Sequence, residues 1–185
     1  MRRWWRFWQR LCDARHLVFL DETSLNTKMA RLYGRSKIGE RCHAPVPFGH
    51  WNTCTFIAGL RCDGIHAPLL IDGAINGELF LTYIQESLAP LLEPGDVVIC
   101  DNLSAHRVAG VREAIEARQA SILYLPPYCP DLNPIEMAFA KLKAHLRQAK
   151  ARCWNELLAA LNQVLPLFTP HHCSNFFAHA QYVAI

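Results

Sequence analysis

Two short apolar runs in this chain each end on an aspartate. In LVFLDET, Leu17 to Leu20 lead into Asp21; in DVVICDNLSAH, Val97 to Cys100 lead into Asp101. A carboxylate at the end of a buried strand loses water, and neither stretch offers an obvious cation to offset the loss. If both strands end at one edge of one sheet, the two acids repel and one is driven to keep its proton. A divalent cation removes that conflict. Hard oxygen donors suit Mg²⁺ or Mn²⁺, held by a few carboxylates together with water and substrate phosphate. Glu136 is the natural third acid, in the first turn of a helix opened by Asn133-Pro134, an N-cap followed by proline at the first helical position. Each acid also has a plainer reading. Asn133 to Glu136 has capping-box spacing, and an acid in a first turn complements the helix dipole. Asp101 can close an Asx turn with the residues that follow it. The conjunction of three elements ending at one edge favours a shared site.

The surrounding pattern supplies those elements. Residues 16–21 and 97–101 have the length and β-branched content of buried strands. Residues 22–50 are polar, basic and punctuated by Gly and Pro, and read as a long loop or irregular hairpin. TCTFIAGL (53–60) and IHAPLLI (65–71) flank Asp63-Gly64 and predict a hairpin, with Pro68 placing the second strand at an edge. Asn76 caps a helix with Leu79, Phe80, Tyr83, Ile84, Leu88 and Leu91 on its apolar face. Ser104 is a candidate cap for the next helix, with Val108, Val111 and Ile115 inward. SILYL (121–125) is a further strand. The helix from Asn133 runs to about Lys150 and buries Ile135, Phe139, Leu142 and Leu146. Helices near 154–166 and 171–180 complete the chain. Strand–helix units after a hairpin predict an α/β fold with a mixed sheet. If strand 97–101 lies parallel to strand 16–21, the strand order reverses there, and the crevice at their carboxyl ends receives Asp21 and Asp101.

Composition sets the limits. The chain has 185 residues, 51% hydrophobic and 19% charged, an ordinary globular balance, and a net charge of +3 too small to announce a nucleic-acid binder. Its basic residues crowd into the first fifteen positions, 28–41 and 141–152. Eight cysteines show no C-x-x-C spacing. With no secretory leader and no long apolar run, they predict free thiols in a reduced cytoplasmic protein rather than a disulfide framework. A zinc site from Cys42-His43 and His171-His172-Cys173 is the less favoured alternative. Residues 1–15 form a separate segment, a short basic amphipathic helix or linker remnant. Its stripe is Trp4, Phe7, Trp8 and Leu11, suited to docking on the domain that follows (16–185) or, alternatively, to DNA or membrane contact.

LVFLDET, ICDNLSAH and LPPYCPDLNPIEMAFAKLK together resemble the catalytic core of DDE (Asp-Asp-Glu) transposases, in their mariner-related bacterial insertion-sequence branch. Thirty-four residues lie between Asp101 and Glu136, the interval of that branch, and ARLYGRSKIGER and LIDGAINGELFLTYI resemble its intervening segments. The likeness runs over roughly 16–180. Cys129 stands where such proteins usually carry Ser, at a position not expected to bind metal. The resemblance implies an RNase H-like five-stranded sheet in the order 3-2-1-4-5. It also implies that Asp21, Asp101 and Glu136 hold two Mg²⁺, with Mn²⁺ able to substitute. The activity implied is cleavage of DNA by water, followed by attack of the freed 3′-OH on target DNA.

Further expectations follow from that likeness. Lys141, Lys143, Arg147 and Lys150, on or just past the Glu136 helix, and Arg31, Arg35, Lys37 and Arg41 in the long loop are candidates for phosphate contact. A solvated helix face is the plainer account of the first group. His106 either orients phosphate or water or simply packs at its helix start. A full transposase of this kind carries a helix-turn-helix DNA-binding region, for which this chain has no room, so a separate or missing partner is expected. A homodimer on paired transposon ends is a further implication, as is action at a bacterial nucleoid. The competing functions are an RNase H-like nuclease or resolvase without strand transfer, and an inactive DNA-binding remnant.

Overall fold

The computed structural model describes residues 2–182; Met1 and residues 183–185, which fall at the outer ends of the two expected segments, lie outside it. A five-stranded mixed sheet organises the chain. Strand β1 (Leu17–Asn26) pairs antiparallel with β2 (Thr53–Arg61), and β2 with β3 (Gly64–Asp72). On its other side β1 pairs in parallel with β4 (Val97–Cys100), which pairs in parallel with β5 (Ser121–Tyr124). The order is β3-β2-β1-β4-β5, as expected, with the Pro68 strand at one edge.

Both faces of the sheet are covered, which explains why LVFL and VVIC are apolar without alternation. Side chains of successive residues still point to opposite faces. Leu17 and Phe19 face a core built with α4 (Pro134–Ala149), α5 (Trp154–Val164) and α6 (Pro170–His179). Val18 and Leu20 face a second core built with α2 (Gly77–Tyr83) and α3 (Val111–Glu116). The predicted stripe of α4 is buried at all four positions, Ile135, Phe139, Leu142 and Leu146.

Several expectations need correction. β1 does not stop at Asp21: antiparallel partners on β2 carry it to Asn26, while its parallel pairing with β4 ends at Leu20 and Cys100. Beyond that point one side of β1 is open, and this opening is the crevice. The helix predicted from Ser104 is a 3₁₀ turn at Ser104–Arg107, and α3 begins only at Val111 after left-handed Gly110. Leu79 and Leu91 are exposed: α2 stops at Tyr83, widens into a π-helical turn at Ile84–Leu88 and then tightens into a 3₁₀ turn at Ala89–Leu91, so Leu91 is off the face that a continuous α-helix would give it.

The N-terminal helix α1 (Arg2–Trp8) also turns a different face inward from the one expected. Trp5 is buried and donates its indole N–H to the Tyr182 hydroxyl at 2.7 Å, and Gln9 one turn later donates to the Ala180 carbonyl. Trp4, Phe7 and Leu11 are exposed. Apolar periodicity cannot distinguish two overlapping stripes in WWRFW; the polar partner at Tyr182 decides between them. All eight cysteines lie in the described residues as free thiols. Cys173 is fully buried, with its thiol directed at the Phe168 carbonyl, so it belongs to the core.

Candidate active site

An open cleft of about 580 Å³ lies where β1 and β4 part. Asp21, Asp101 and Glu136 all line it, with Glu22, Asn102, Asn133 and the segment from Leu125 to Pro130. The three separated motifs therefore meet at one place. Each acid arrives by its own element. Asp21 follows Phe19 on the face of β1 that looks toward α4. Asp101 is the first residue after β4. Glu136 stands exposed in the first turn of α4, which the buried Pro134 and Ile135 pin against the sheet.

The environment of Asp21 sets the chemistry. The residue is only 8% exposed. Its Oδ1 accepts the Glu22 backbone N–H at 2.8 Å and its Oδ2 accepts the Asn133 side-chain amide at 2.8 Å. No cation pairs with it among the described residues. Burial pushes its carboxyl up to about 7, opposed by the Glu22 N–H and reinforced by the charges of Glu22, Glu136 and Asp101. Asn133 is thus more than the start of α4. Its side chain makes no cap bond to the helix, so the capping box with Glu136 does not form; it holds Asp21 instead. The other amide atom, Asn133 Oδ1, is buried with no partner. An orphaned oxygen beside a desolvated carboxylate is costly unless a water or ion meets it.

Asp101 does form the Asx turn anticipated from sequence, accepting the Leu103 N–H at 3.2 Å. The same Oδ1 lies 2.6 Å from His106 Nδ1, while His106 Nε2 lies 3.0 Å from Glu22 Oε2. An imidazole facing a carboxylate oxygen at each nitrogen must donate from both, so it carries charge. Burial opposes that charge, but hydrogen bonding with Asp101, Cys100 and Glu22 wins and pushes His106 up to about 12. The ring is fully buried, stacked on Phe80 at 4.4 Å. Close approach makes this possible: a Cβ on Gly77, at the start of α2, would meet Val108 at 2.4 Å. His106 is therefore a buried brace between two acids of the cleft. Glu22, which the sequence pattern does not single out, is also a member of the site. Alternation along β1 sends it to the face opposite Asp21, but only the structure shows that His106, 84 residues away, meets it there.

The basic candidates separate into groups. Lys143 and Arg147 follow Glu136 at seven and eleven residues, on one face of α4. Lys143 is held below the usual lysine range by burial and by Arg147, against the pull of Glu136. Lys141 points elsewhere, to His172 Nδ1 at 2.9 Å and over the Phe168 ring. Lys150 is the exposed left-handed residue that ends α4. Arg31, Arg35, Lys37 and Arg41 are exposed on the irregular segment 27–52, whose root Arg152 ties down by donating to the Thr27 and Met29 carbonyls.

The donor set fits a hard divalent ion: carboxylate oxygens, one of them desolvated without a counter-charge, beside an orphaned amide oxygen. Among the described residues no group of three or more His, Cys, Asp and Glu side chains forms a preassembled cage.

Comparison with known proteins places this geometry. The family described as DDE superfamily endonuclease matches residues 16–158. No curated protein is similar in sequence. Among solved structures, the catalytic domain of Mos1 mariner transposase superposes with a TM-score of 0.67 at 12% identity, covering 97% of this chain and 82% of that one. The Mos1 paired end complex with Mg gives 0.71 at 16% identity, covering 97% and 56%. The Mos1 Strand Transfer Complex gives 0.67 at 16% identity, covering 90% and 52%. The chain thus spans about half the length of the transposase chains in those two complexes, and at these identities the likeness is one of fold: the RNase H-like sheet with its flanking helices.

Proposed function

The chain belongs to the DDE superfamily of endonucleases, and on that footing we propose that it is the catalytic domain of a transposase, of the mariner-related bacterial insertion-sequence branch. Asp21, Asp101 and Glu136 are the catalytic and metal-binding acids. The observation that carries this is Asp21: a buried carboxylate, pushed up in pKa, that shares a cleft with two further acids and has no protein cation. Two Mg²⁺ ions, replaceable by Mn²⁺, would supply Lewis-acid activation of water and stabilisation of the leaving 3′ oxygen. A Mos1 complex containing Mg supports that choice of metal.

The chain's own residues do the rest. Asn133 and the Glu22 N–H fix the rotamer of Asp21. His106 holds Asp101 in place and neutralises part of the acidic cleft, which lowers the repulsion an incoming phosphate meets. Lys143 and Arg147, on the Glu136 face of α4, take the flanking DNA backbone, with Lys150, Lys141 and the loop residues Arg31, Arg35, Lys37 and Arg41 as outer phosphate contacts. The partners are transposon-end and target DNA and a helix-turn-helix DNA-binding region. The outward apolar face of α1, with Trp4, Phe7 and Leu11, is suited to the junction with that region. A second copy of the chain is also proposed, because segment 27–52 presents Tyr33, Ile38 and Phe48 almost fully to solvent. No helix of the described residues is long and apolar enough to cross a membrane; action in a bacterial cytoplasm, at the nucleoid, goes with the proposed DNA substrate.

Nicking of supercoiled plasmid in Mg²⁺ tests the reading. The wild type is expected to nick weakly and without end-sequence preference, and Asp101→Asn not at all. Equal nicking by both removes the catalytic assignment. Joining of a 3′-OH end to target DNA separates a transposase from a nuclease or resolvase that only cuts.

A further inference from the structure

Asn133 holds Asp21, and Asn133 is itself held from α1 and from the turn after α6. It follows a 3₁₀ turn at Pro130–Leu132 and starts α4. The Leu132 carbonyl, one residue before it, accepts the Tyr182 hydroxyl at 2.9 Å, and the same hydroxyl accepts the Trp5 indole N–H at 2.7 Å. Trp5, Leu132, Asn133 and Tyr182 are all buried. The backbone that presents Tyr182 is fixed as well. Gln181 is left-handed, with φ of 68°, and closes α6: its N–H bonds the Ala178 carbonyl and the Tyr182 N–H bonds the Phe177 carbonyl.

The chemistry of this junction is specific. An indole N–H only donates and a backbone carbonyl only accepts, so a hydroxyl, which does both, can join them. Phe in place of Tyr182 would keep the ring and strand both groups. The ring has a second contact: it lies edge-on to Phe19 at 4.9 Å, and Phe19 shares a face of β1 with Asp21, two residues on. One side chain therefore touches both supports of Asp21. These are the strand that carries it and, through Leu132, the amide that holds its Oδ2 at 2.8 Å. α1 grips the same turn directly, since Arg2 pairs with Asp131 and approaches Cys129 Sγ at 3.6 Å.

The Leu132 carbonyl and the Asn133 nitrogen belong to one planar peptide unit, so anchoring that oxygen fixes the plane from which Asn133 departs. We propose that Tyr182, completed by Trp5, is a positioning residue for the cleft: its hydroxyl sets the Asn133 amide against Asp21 and thereby sets the affinity of the cleft for divalent metal. The inference rests on the proposed metal-binding role of Asp21. It adds that α1 and the turn after α6 belong to the machinery of the site and do more than close the core. A hydroxyl that served cohesion alone would leave Asn133 in place when removed.

The test is Tyr182→Phe in the full chain, with two readouts. One is the Asn133 side-chain amide signal in nitrogen–proton NMR spectra of the metal-free protein, assigned by its absence in Asn133→Ala. The other is Mn²⁺ affinity, from the spin resonance of the free ion. In the wild type the Asn133 amide is expected to be protected from exchange by its bond to Asp21. Tyr182→Phe is expected to lose that protection and to bind Mn²⁺ roughly 10-fold more weakly, the low end for a group that supports a metal ligand. Leu161→Ala, at a buried α5 position outside this relay, is expected to melt lower yet keep both readouts. A Tyr182→Phe protein that melts lower but keeps the wild-type amide signal overturns the proposal, as does one that loses the signal with unchanged Mn²⁺ affinity. If Tyr182→Phe does not fold, Trp5→Phe decides. It frees the hydroxyl to turn from the Leu132 carbonyl and is expected to move both readouts in the same direction by less; wild-type values overturn the proposal. If the wild type binds no Mn²⁺, the metal reading fails and the affinity claim falls with it, while the amide signal still decides whether Tyr182 positions Asn133.

Discussion

Strand β4 is bracketed by aspartates, and the buried one at its start contrasts with the buried one on its neighbour. Asp96, just before β4, is completely buried. Arg61 grips it with two nitrogens at 2.7 and 3.0 Å, and the Glu93 N–H adds a third bond at 2.8 Å. Burial pushes its carboxyl up, but these bonds outweigh burial and leave it below the ordinary range. Asp21, on β1 at the opposite end of the sheet, is nearly as buried and receives only two neutral N–H donors, so it goes the other way, to about 7. Similar burial thus yields a finished ion pair in one place and an unmet demand for positive charge in the other. The first secures the sheet; the second leaves a carboxyl that keeps its proton or takes a cation from outside the chain.

The largest expected consequence of that contrast is in activity. Asn at 21 or 101 should reduce Mg²⁺-dependent nicking by on the order of 10³-fold or more. Asp21→Asn should at the same time raise the melting temperature of the metal-free protein, since it removes an uncompensated buried charge, whereas Asp96→Asn should lower it. Next comes Arg61→Met, which strands Asp96: a loss of about 3–5 kcal/mol in denaturant unfolding, with much of it recovered when Asp96 is also made apolar. A smaller effect is expected of Asn133→Ala, which frees Asp21 to rotate. It should weaken Mg²⁺ binding by roughly 10–100-fold in a calorimetric titration while the fold survives.

The finest test is the pH dependence. Asp21 keeps in the folded state a proton that an unfolded Asp, at 3.8, has released. Its contribution makes the metal-free protein less stable as pH rises from about 4 to about 7, with a slope of at most ~1.4 kcal/mol per pH unit. His106, raised from 6.5 to about 12, contributes fully below 6.5 and loses that contribution as pH rises above it. Stability of the metal-free protein should therefore decline from pH 5 to pH 8. Asp21→Asn should flatten only the portion below about 7, and Mg²⁺ should oppose the whole decline by binding the deprotonated acids. Asp96, held low, acts only in the acid range: its contribution is complete above 3.8 and lost as pH falls below it. A flat profile across pH 5–8 in the metal-free wild type would break the contrast between the two aspartates.

Most of the frame was legible because it rests on local pattern. Apolar runs, the Asp63-Gly64 turn and the buried stripe of α4 each fix an element within a few residues, and a strand-order reversal between β1 and β4 then sends Asp21 and Asp101 to one edge. What was not legible depends on partners far away in the chain. Asn133 reads as an N-cap until the structure brings Asp21, 112 residues away, to its amide. Glu22 and His106 are 84 residues apart and neither alone calls for the other. The pattern of α1 points to its other face because Tyr182, the partner that buries Trp5, lies at the far end of the chain. Ser104 reads as a helix cap because Ser before apolar periodicity resembles a helix start; a 3₁₀ turn at Ser104–Arg107 and left-handed Gly110 postpone α3 to Val111.

The central claim is that Asp21, Asp101 and Glu136 jointly hold divalent metal. Anomalous diffraction from crystals of the protein soaked in Mn²⁺ measures this directly. The account predicts manganese peaks within about 2.0–2.2 Å of carboxylate oxygens from all three residues, with the three side chains drawn together around them. Manganese bound elsewhere while these oxygens stay unliganded at neutral pH would contradict it.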